Sequence, residues 1–404
     1  MTTPPTAKRN ASRRWTRREF LKTAAAFAAP AIVPASVLGA EAPSERVNVG
    51  IIGLGKLGSQ SHLAGLLNTS GVQVVALCDV ERIRLNDAQK RVDATYAQRF
   101  GKAAYKGCTT HVDFRELLAR AEVDAVVIVS PEYWHAIHAV QACRAGKHVY
   151  CEKPMAYTLG EARAVVNAAE RYGRVFQVGS QQRSDYTFRY ACELVRNGRI
   201  GDVHTVHVNC GGPPRECRLP AEPTPPSMEW DLWLGPAPWR PYNTKIQPIS
   251  LEPWCPWKIY RDYGGSGMTD MGAHHFDIAQ WGLGMDHSGP VEVHPRDGGQ
   301  YERLTYKYAN GVALTHGGAM AGSAVEFIGT EGRVAVNRGH FLKTEPENLA
   351  TSAIGPGEVH LYESRSHRGN WLDCIRTGRE TVCPAEVGCR SVCVCHLGFL
   401  GYRL

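Results

Sequence analysis

The stretch Val47-Asn48-Val49-Gly50-Ile51-Ile52-Gly53-Leu54-Gly55-Lys56-Leu57-Gly58 decides the fold. Val47–Ile52 is a short, nearly continuous apolar run, the pattern of a strand buried on both faces of a parallel sheet. Three glycines follow in the spacing GxGxxG, and Ser59–Leu67 reads on as a helix. In that strand–turn–helix setting the first glycine permits the tight turn. The second lets a pyrophosphate approach the backbone, and helix N–H groups receive its charge. Gly53, Leu54, Gly55, Lys56, Leu57 and Gly58 are therefore candidate cofactor-binding residues. A second strand, Val72–Cys78, ends in Asp79, 21 residues beyond Gly58. A carboxylate there accepts hydrogen bonds from the adenosine ribose and repels a 2′-phosphate, which favours NAD over NADP. Arg82 and Arg84 stand close by and keep NADP as the lesser alternative.

The same pattern repeats downstream. Val123–Val129 is another apolar strand and ends in Ser130-Pro131-Glu132-Tyr133-Trp134-His135. The carboxyl ends of strands face the ligand in a doubly wound sheet, so Ser130 and Pro131 should border the cofactor. His135 is grouped with them as a residue that begins or supports the next helix. His148–Cys151 ends in Glu152-Lys153-Pro154. Thr158-Leu159-Gly160-Glu161 then forms a capping box for a helix to Tyr172. Val175–Val178 closes a first domain spanning 46–179.

A second domain, 180–404, opens at Gln181-Gln182-Arg183. Helical spacing runs through Phe188–Asn197, and alternating strands follow at Val203–Val208, Tyr301–Tyr308 and Val312–Thr315. Between about 211 and 263 lies a Pro- and Trp-rich stretch containing Trp230, Trp233, Trp239, Tyr242, Trp254, Trp257 and Tyr260. Each large aromatic is expected to pack the loop onto its own domain. A loop this long is usually functional, and flat aromatic faces suit the apolar C–H faces of sugar rings. In the string Thr269-Asp270-Met271-Gly272-Ala273-His274-His275, Asp270 and His274 are four apart. On a helix they would share a face, where a carboxylate raises the basicity of a histidine acting as general base.

Taken together, the GxGxxG turn, Ser130-Pro131, Glu152-Lys153-Pro154 and the Asp-Met-Gly-Ala-His string resemble the glucose–fructose oxidoreductase, inositol dehydrogenase and MocA family, from about Val47 to the C-terminus. The resemblance implies an α/β protein: an N-terminal Rossmann domain with a doubly wound parallel sheet, and a C-terminal α+β domain with an open, mostly antiparallel sheet. The free sheet face commonly forms an oligomer interface, so a homo-oligomer (dimer or tetramer) is expected. It also implies that Lys153 lies near the reacting carbon and nicotinamide, that Glu152 orients the cofactor end, and that Asp270 and His274 stand beside Lys153. Lys153, Asp270 and His274 are the catalytic candidates. Gln181, Arg183, Tyr260 and His275 are candidate substrate contacts. The expected activity is NAD-dependent hydride transfer from a secondary alcohol of a sugar, a cyclitol or a derivative. A second reading is a glycosidase or lyase that oxidises a glycoside transiently, and a third is a non-catalytic sugar- or cofactor-binding protein. Relatives of this kind usually continue past the helix at Cys389–Leu404, so truncation at the C-terminus is an open reading.

The 404 residues suffice for two domains, and 43% hydrophobic with 21% charged residues is a globular composition. Residues 1–40 hold seven Lys and Arg and one acid, a net +6 of the chain's +7. The folded part is thus nearly neutral, which argues against nucleic acid as a partner. The basic segment contains Thr16-Arg17-Arg18-Glu19-Phe20-Leu21-Lys22, a twin-arginine signal, followed by the Ala-rich run 24–40. That run is too short and weakly apolar for a stable membrane span. Residues 1–42 are read as signal peptide and linker, the export machinery as a partner, and the location as periplasmic. That route passes folded proteins, so NAD loaded before export and tightly held is expected. Thirteen dispersed cysteines, with no CxxC pair, suggest packing rather than a metal site, Cys389 and Cys393 included.

Overall fold

A computed structural model describes residues 46–101 and 105–404. The twin-arginine segment, 1–42, lies outside the described residues. The first sheet holds β1 (Val47–Ile52), β2 (Val72–Cys78), β3 (Thr109–His111), β4 (Ala125–Ile128), β5 (His148–Cys151) and β6 (Phe176–Val178). Its order is β3-β2-β1-β4-β5-β6, and all pairs are parallel. The order reverses between β1 and β4, which opens a crevice at their carboxyl ends. Strand β4 is buried along its whole length and β1 at every position but Asn48, as their apolar runs require.

Helices connect these strands: α1 (Ala64–Leu67), α2 (Arg82–Phe100), α3 (Phe114–Leu118), α4 (Glu132–Arg144) and α5 (Leu159–Arg171). The turn into α1 is a π-helical one, Gly58–Leu63, where an ordinary helix was expected. Such π-turns are frequent at functional sites. Thr158 and Glu161 make the reciprocal capping box at α5. Strand β3 had no sequence expectation, being three half-buried polar residues at the sheet edge.

The second sheet has α6 (Tyr186–Arg196) before its first strand, β7 (Val203–Val208). After the short α7 (Trp230–Leu234) and then α8 (Gly272–Leu283) come β8 (Glu292–His294), β9 (Thr305–Lys307), β10 (Ala313–His316), β11 (Val325–Gly329), β12 (Arg333–Asn337) and β13 (Phe341–Glu345). Its order is β13-β12-β11-β7-β10-β9-β8, antiparallel except where β10 runs parallel to β7. Phe188, Leu194, Phe276 and Ile278 of α6 and α8 share one core with Val206, Leu314 and Phe327 of the sheet.

Two last helices, α9 (His367–Thr377) and α10 (Ala385–Gly401), cross back to the first domain. Trp371 and Leu372 join the core under β1 and β2, and Val387, Cys389 and Val392 join the core over β4 to β6. The fully buried Cys389 is thus a packing residue. Among the described residues no helix is long and apolar enough to cross a membrane.

Candidate active site

The glycine turn shapes the crevice. Gly53 adopts φ +97°, and a Cβ there would sit 2.6 Å from the Val129 carbonyl carbon. A Cβ on Gly58 would collide with the Gly53 carbonyl oxygen. These two glycines let β1, the turn and β4 pack. Gly55 differs: a Cβ there meets nothing within 4 Å, because this glycine faces the open cleft. The turn therefore offers bare backbone to a ligand, which fits the pyrophosphate of a dinucleotide.

Asp79 fixes the next stretch. Its carboxylate accepts from Leu54 N at 2.6 Å and from Glu81 N at 2.8 Å. Burial pushes its pKa up, opposed by Arg84 and by the two amides. Arg84 itself is occupied. Its Nε donates to the Ile249 carbonyl at 3.0 Å, and its Nη2 to the carbonyls of Ser250 (3.1 Å) and Pro248. The three carbonyls hold three of the five N–H donors of Arg84, Arg82 is paired with Glu229, and Asp79 would repel a 2′-phosphate, so NAD remains the better fit.

Those carbonyls belong to a strap, residues 247–258 of the Pro- and Trp-rich segment. It walls the cleft opposite the glycine turn with Gln247, Pro248, Leu251, Pro253, Cys255 and Trp257. The cleft encloses about 950 Å³ of free space, the open solvent at its mouth included. Glu252 of the strap forms an ion pair with Lys56 of the turn. The rest of the segment has its own core, built from Met228, Trp230, Trp233, Tyr242, Ile246 and Tyr260 around Tyr133.

Beyond the turn the cleft continues into a recess lined by Gly55, Glu132, Glu152, Lys153, Lys258 and Asp270. Lys153 Nζ donates to Asp270 Oδ1 at 2.8 Å and to the Asp270 carbonyl at 2.9 Å. Lys258 Nζ donates to Asp270 Oδ2. Burial alone would raise the Asp270 pKa, but the two ammonium groups outweigh it and hold the carboxyl below its ordinary value. Glu132 accepts from Gly265 N and from Thr269 Oγ1 (3.0 Å), and burial pushes it up to about 8. Glu152 lies 2.8 Å from His62 Nε2 and accepts from Gln181 Nε2 at 2.7 Å. Burial works against its ionisation, yet His62 and Lys153 keep it below the usual carboxylate range. His135 bridges the ends of two strand connections, with Nδ1 2.7 Å from the Pro154 carbonyl and Nε2 2.8 Å from the Ser130 carbonyl.

Comparison with known proteins places this arrangement. Residues 47–180 match the oxidoreductase family with an NAD-binding Rossmann fold (GFO/IDH/MocA), and residues 215–404 match its C-terminal α/β domain. The chain belongs to the Gfo/Idh/MocA oxidoreductase family. It is an NAD(P)-dependent dehydrogenase of the class acting on CH–OH groups, and its nucleotide fold supports NAD. An uncharacterised oxidoreductase of Bacillus subtilis is 23% identical over 369 residues, 86% of this chain and 92% of that protein. The inositol 2-dehydrogenase of Salmonella typhimurium is 35% identical over 173 residues, 42% of this chain. That match spans about half of the relative's length, 48%. The solved aldose–aldose oxidoreductase of Caulobacter crescentus has a TM-score of 0.58 at 18% identity, over 89% of this chain and 98% of that one, and shares the fold.

Within the family site, Lys153, Asp270, Glu152 and the glycine turn come together around one recess. Ser130 and Pro131 line the cleft beside them. Other expectations require correction. Asp270 and His274 do not pair. Helix α8 starts only at Gly272, so Asp270 stands in the preceding turn and gives both carboxylate oxygens to lysines. His274 is buried with Nδ1 unpaired. Burial, then the charges of Lys153 and Arg338, hold its pKa well below the ordinary value.

None of the four expected substrate contacts lines the cleft or the recess. Arg183 is 2% exposed, stacked on Trp281 and bound to Asp277 (2.8 Å) and Asp286 (2.7 Å). Its role is to join α8 to the start of the second domain. Tyr260 is buried in the strap segment's core beneath Arg215. His275 is buried against the Asn209 carbonyl. Gln181 does reach the site, as a partner of Glu152. Lys258, Glu132 and His62 were not foreseen as site residues. Lys258 stands in a string of no period, Glu132 was visible only as the residue after Ser130-Pro131, and His62 had only its place after the glycines.

Proposed function

We propose that the chain oxidises a secondary alcohol of a sugar or cyclitol, or runs the reverse reduction, in the recess around Lys153. One feature carries this reading. Lys153 has three N–H donors, of which Asp270 takes two. The third is left for a substrate oxygen, in a recess whose opposite wall is the glycine turn. A bound nicotinamide supplies the hydride acceptor. Lys153 would hold the alcohol oxygen and stabilise the negative charge that grows on it as the C–H bond breaks. The hydroxyl proton would go to His274, neutral through burial and the charge of Lys153, provided a bound substrate reaches its unpaired Nδ1, since its imidazole lines neither the cleft nor the recess. Asp270 keeps Lys153 in place, and Gln181 and His62 hold Glu152. The similarity to an inositol 2-dehydrogenase supports a cyclic polyol as the substrate class.

Lys153→Ala tests the reading. On a panel of sugars and cyclitols this variant should keep NAD bound but reduce it roughly 10²-fold more slowly or worse. Wild-type reduction by the variant would refute the assignment. We further propose that the protein is exported by the twin-arginine route to the periplasm with its NAD in place, supported by the signal string and by the strap across the cleft. A dimer or tetramer built on the open face of the second sheet completes the proposal.

A further inference from the structure

Asp270 faces two ammonium groups. Lys153 comes from the loop after β5 and Lys258 from the strap, and they bind opposite oxygens of the carboxylate. Cys255, at φ +45°, turns the strap into the single 3-10 turn Pro256–Ile259 that carries Lys258. Lys258 Nζ also lies 4.9 Å from the centre of the Trp254 ring. A few residues earlier, Glu252 is paired to Lys56 of the glycine turn. One short segment therefore touches the cofactor turn at one end and the Asp270 carboxylate at the other.

The charges decide what this arrangement does. Lys153 and Lys258 bring two positive charges and Asp270 one negative. Glu132, with its carboxyl pushed up to about 8 by burial, is mostly uncharged at neutral pH, and His274 is neutral. Glu152, held ionised beside Lys153, adds a second negative charge, so the cluster is close to neutral overall. Without Lys258 the same group would carry about −1 and would offer less to an oxygen gaining negative charge.

We propose that Lys258 is a positioning residue that anchors Asp270 against Lys153 and leaves the Lys153 ammonium incompletely compensated toward the substrate oxygen. No bond to Lys258 is made or broken in the reaction. The inference rests on the oxidoreductase reading in which Lys153 meets the substrate oxygen.

The test compares Lys258→Met, Lys258→Arg and Lys153→Ala with the wild type. The substrate is whichever polyol of the panel the wild type turns over fastest, with NAD, and NADH fluorescence reports cofactor binding. Lys258→Met should lower kcat by roughly tenfold or more while KM and NADH affinity stay within about twofold, and Lys258→Arg should recover most of the rate. The acid limb of the kcat profile should move to higher pH. Lys153, Lys258, Glu132 and the Cys255 thiol surround Asp270, and the variant removes one of its two cations. A second readout needs no substrate. Ionised Asp270 contributes stability that is lost as pH falls through its depressed native pKa, so this loss should begin at higher pH in Lys258→Met. Loss of strap packing alone would instead weaken NADH binding and leave both pH limbs in place, which overturns the proposal. Wild-type kcat and pH limbs in Lys258→Met, with Lys153→Ala inactive, would also overturn it while the oxidoreductase reading stands. Activity retained in Lys153→Ala would remove that reading itself.

Discussion

Lys153 was legible because it sits in a short motif at the end of a readable strand. Its electrostatic setting was not. Glu132 illustrates why: its position in Ser130-Pro131-Glu132 is visible in the sequence, but its burial against Gly265 and Thr269, more than 130 residues away, comes only from the fold. That burial has a measurable consequence. Burial pushes the native Glu132 carboxyl up to about 8, from its ordinary value of 4.5. Across this interval the native state binds more protons than the unfolded chain, so stability contributed by this group is lost as pH rises. Glu132→Gln has no such proton to lose. Its melting temperature, relative to wild type, should climb by a few degrees between about pH 5 and pH 8. Calorimetry on the two proteins checks this, and parallel curves would mean that Glu132 ionises in the ordinary range.

At the scale of elements, the apolar strands and the capped helix α5 followed from local pattern. The failures have physical causes. The i,i+4 spacing of Asp270 and His274 predicted a shared helical face, but α8 starts two residues after Asp270, and two cations compete for its carboxylate. The strap has no period at all, since its shape is set by what it leans on. Arg84 clamps it through three carbonyls, and hydrogen bonds to a charged group are worth about 1.5–3 kcal/mol each. Removing this clamp with Arg84→Met should therefore speed the release of bound NADH by roughly tenfold or more. Stopped-flow fluorescence measures that rate. An unchanged rate would show that the strap is no barrier to exit.

For the whole molecule, the helices α9 and α10 return to the Rossmann cores, so the nucleotide domain is completed by the last part of the chain. A cofactor site completed this late in the chain suits the proposed export of a folded, loaded protein. Mass spectrometry of the nucleotide released from exported protein should find NAD at close to one per chain. An empty site would defeat the preloading proposal, and a nucleotide with a 2′-phosphate would defeat the reading of Asp79. The sequence by itself determined the Rossmann sheet, the glycine turn, the end-of-strand motifs and the family, because each depends on residues adjacent in the chain whose burial pattern or turn chemistry is local. Only the tertiary structure decided which partners the charged groups take. Asp270 left His274 for two lysines, Arg183 left the substrate for two aspartates, and Arg84 was spent on the strap. Charge pairing inside a fold is settled by distance and burial, and neither is written in the spacing of residues along the chain.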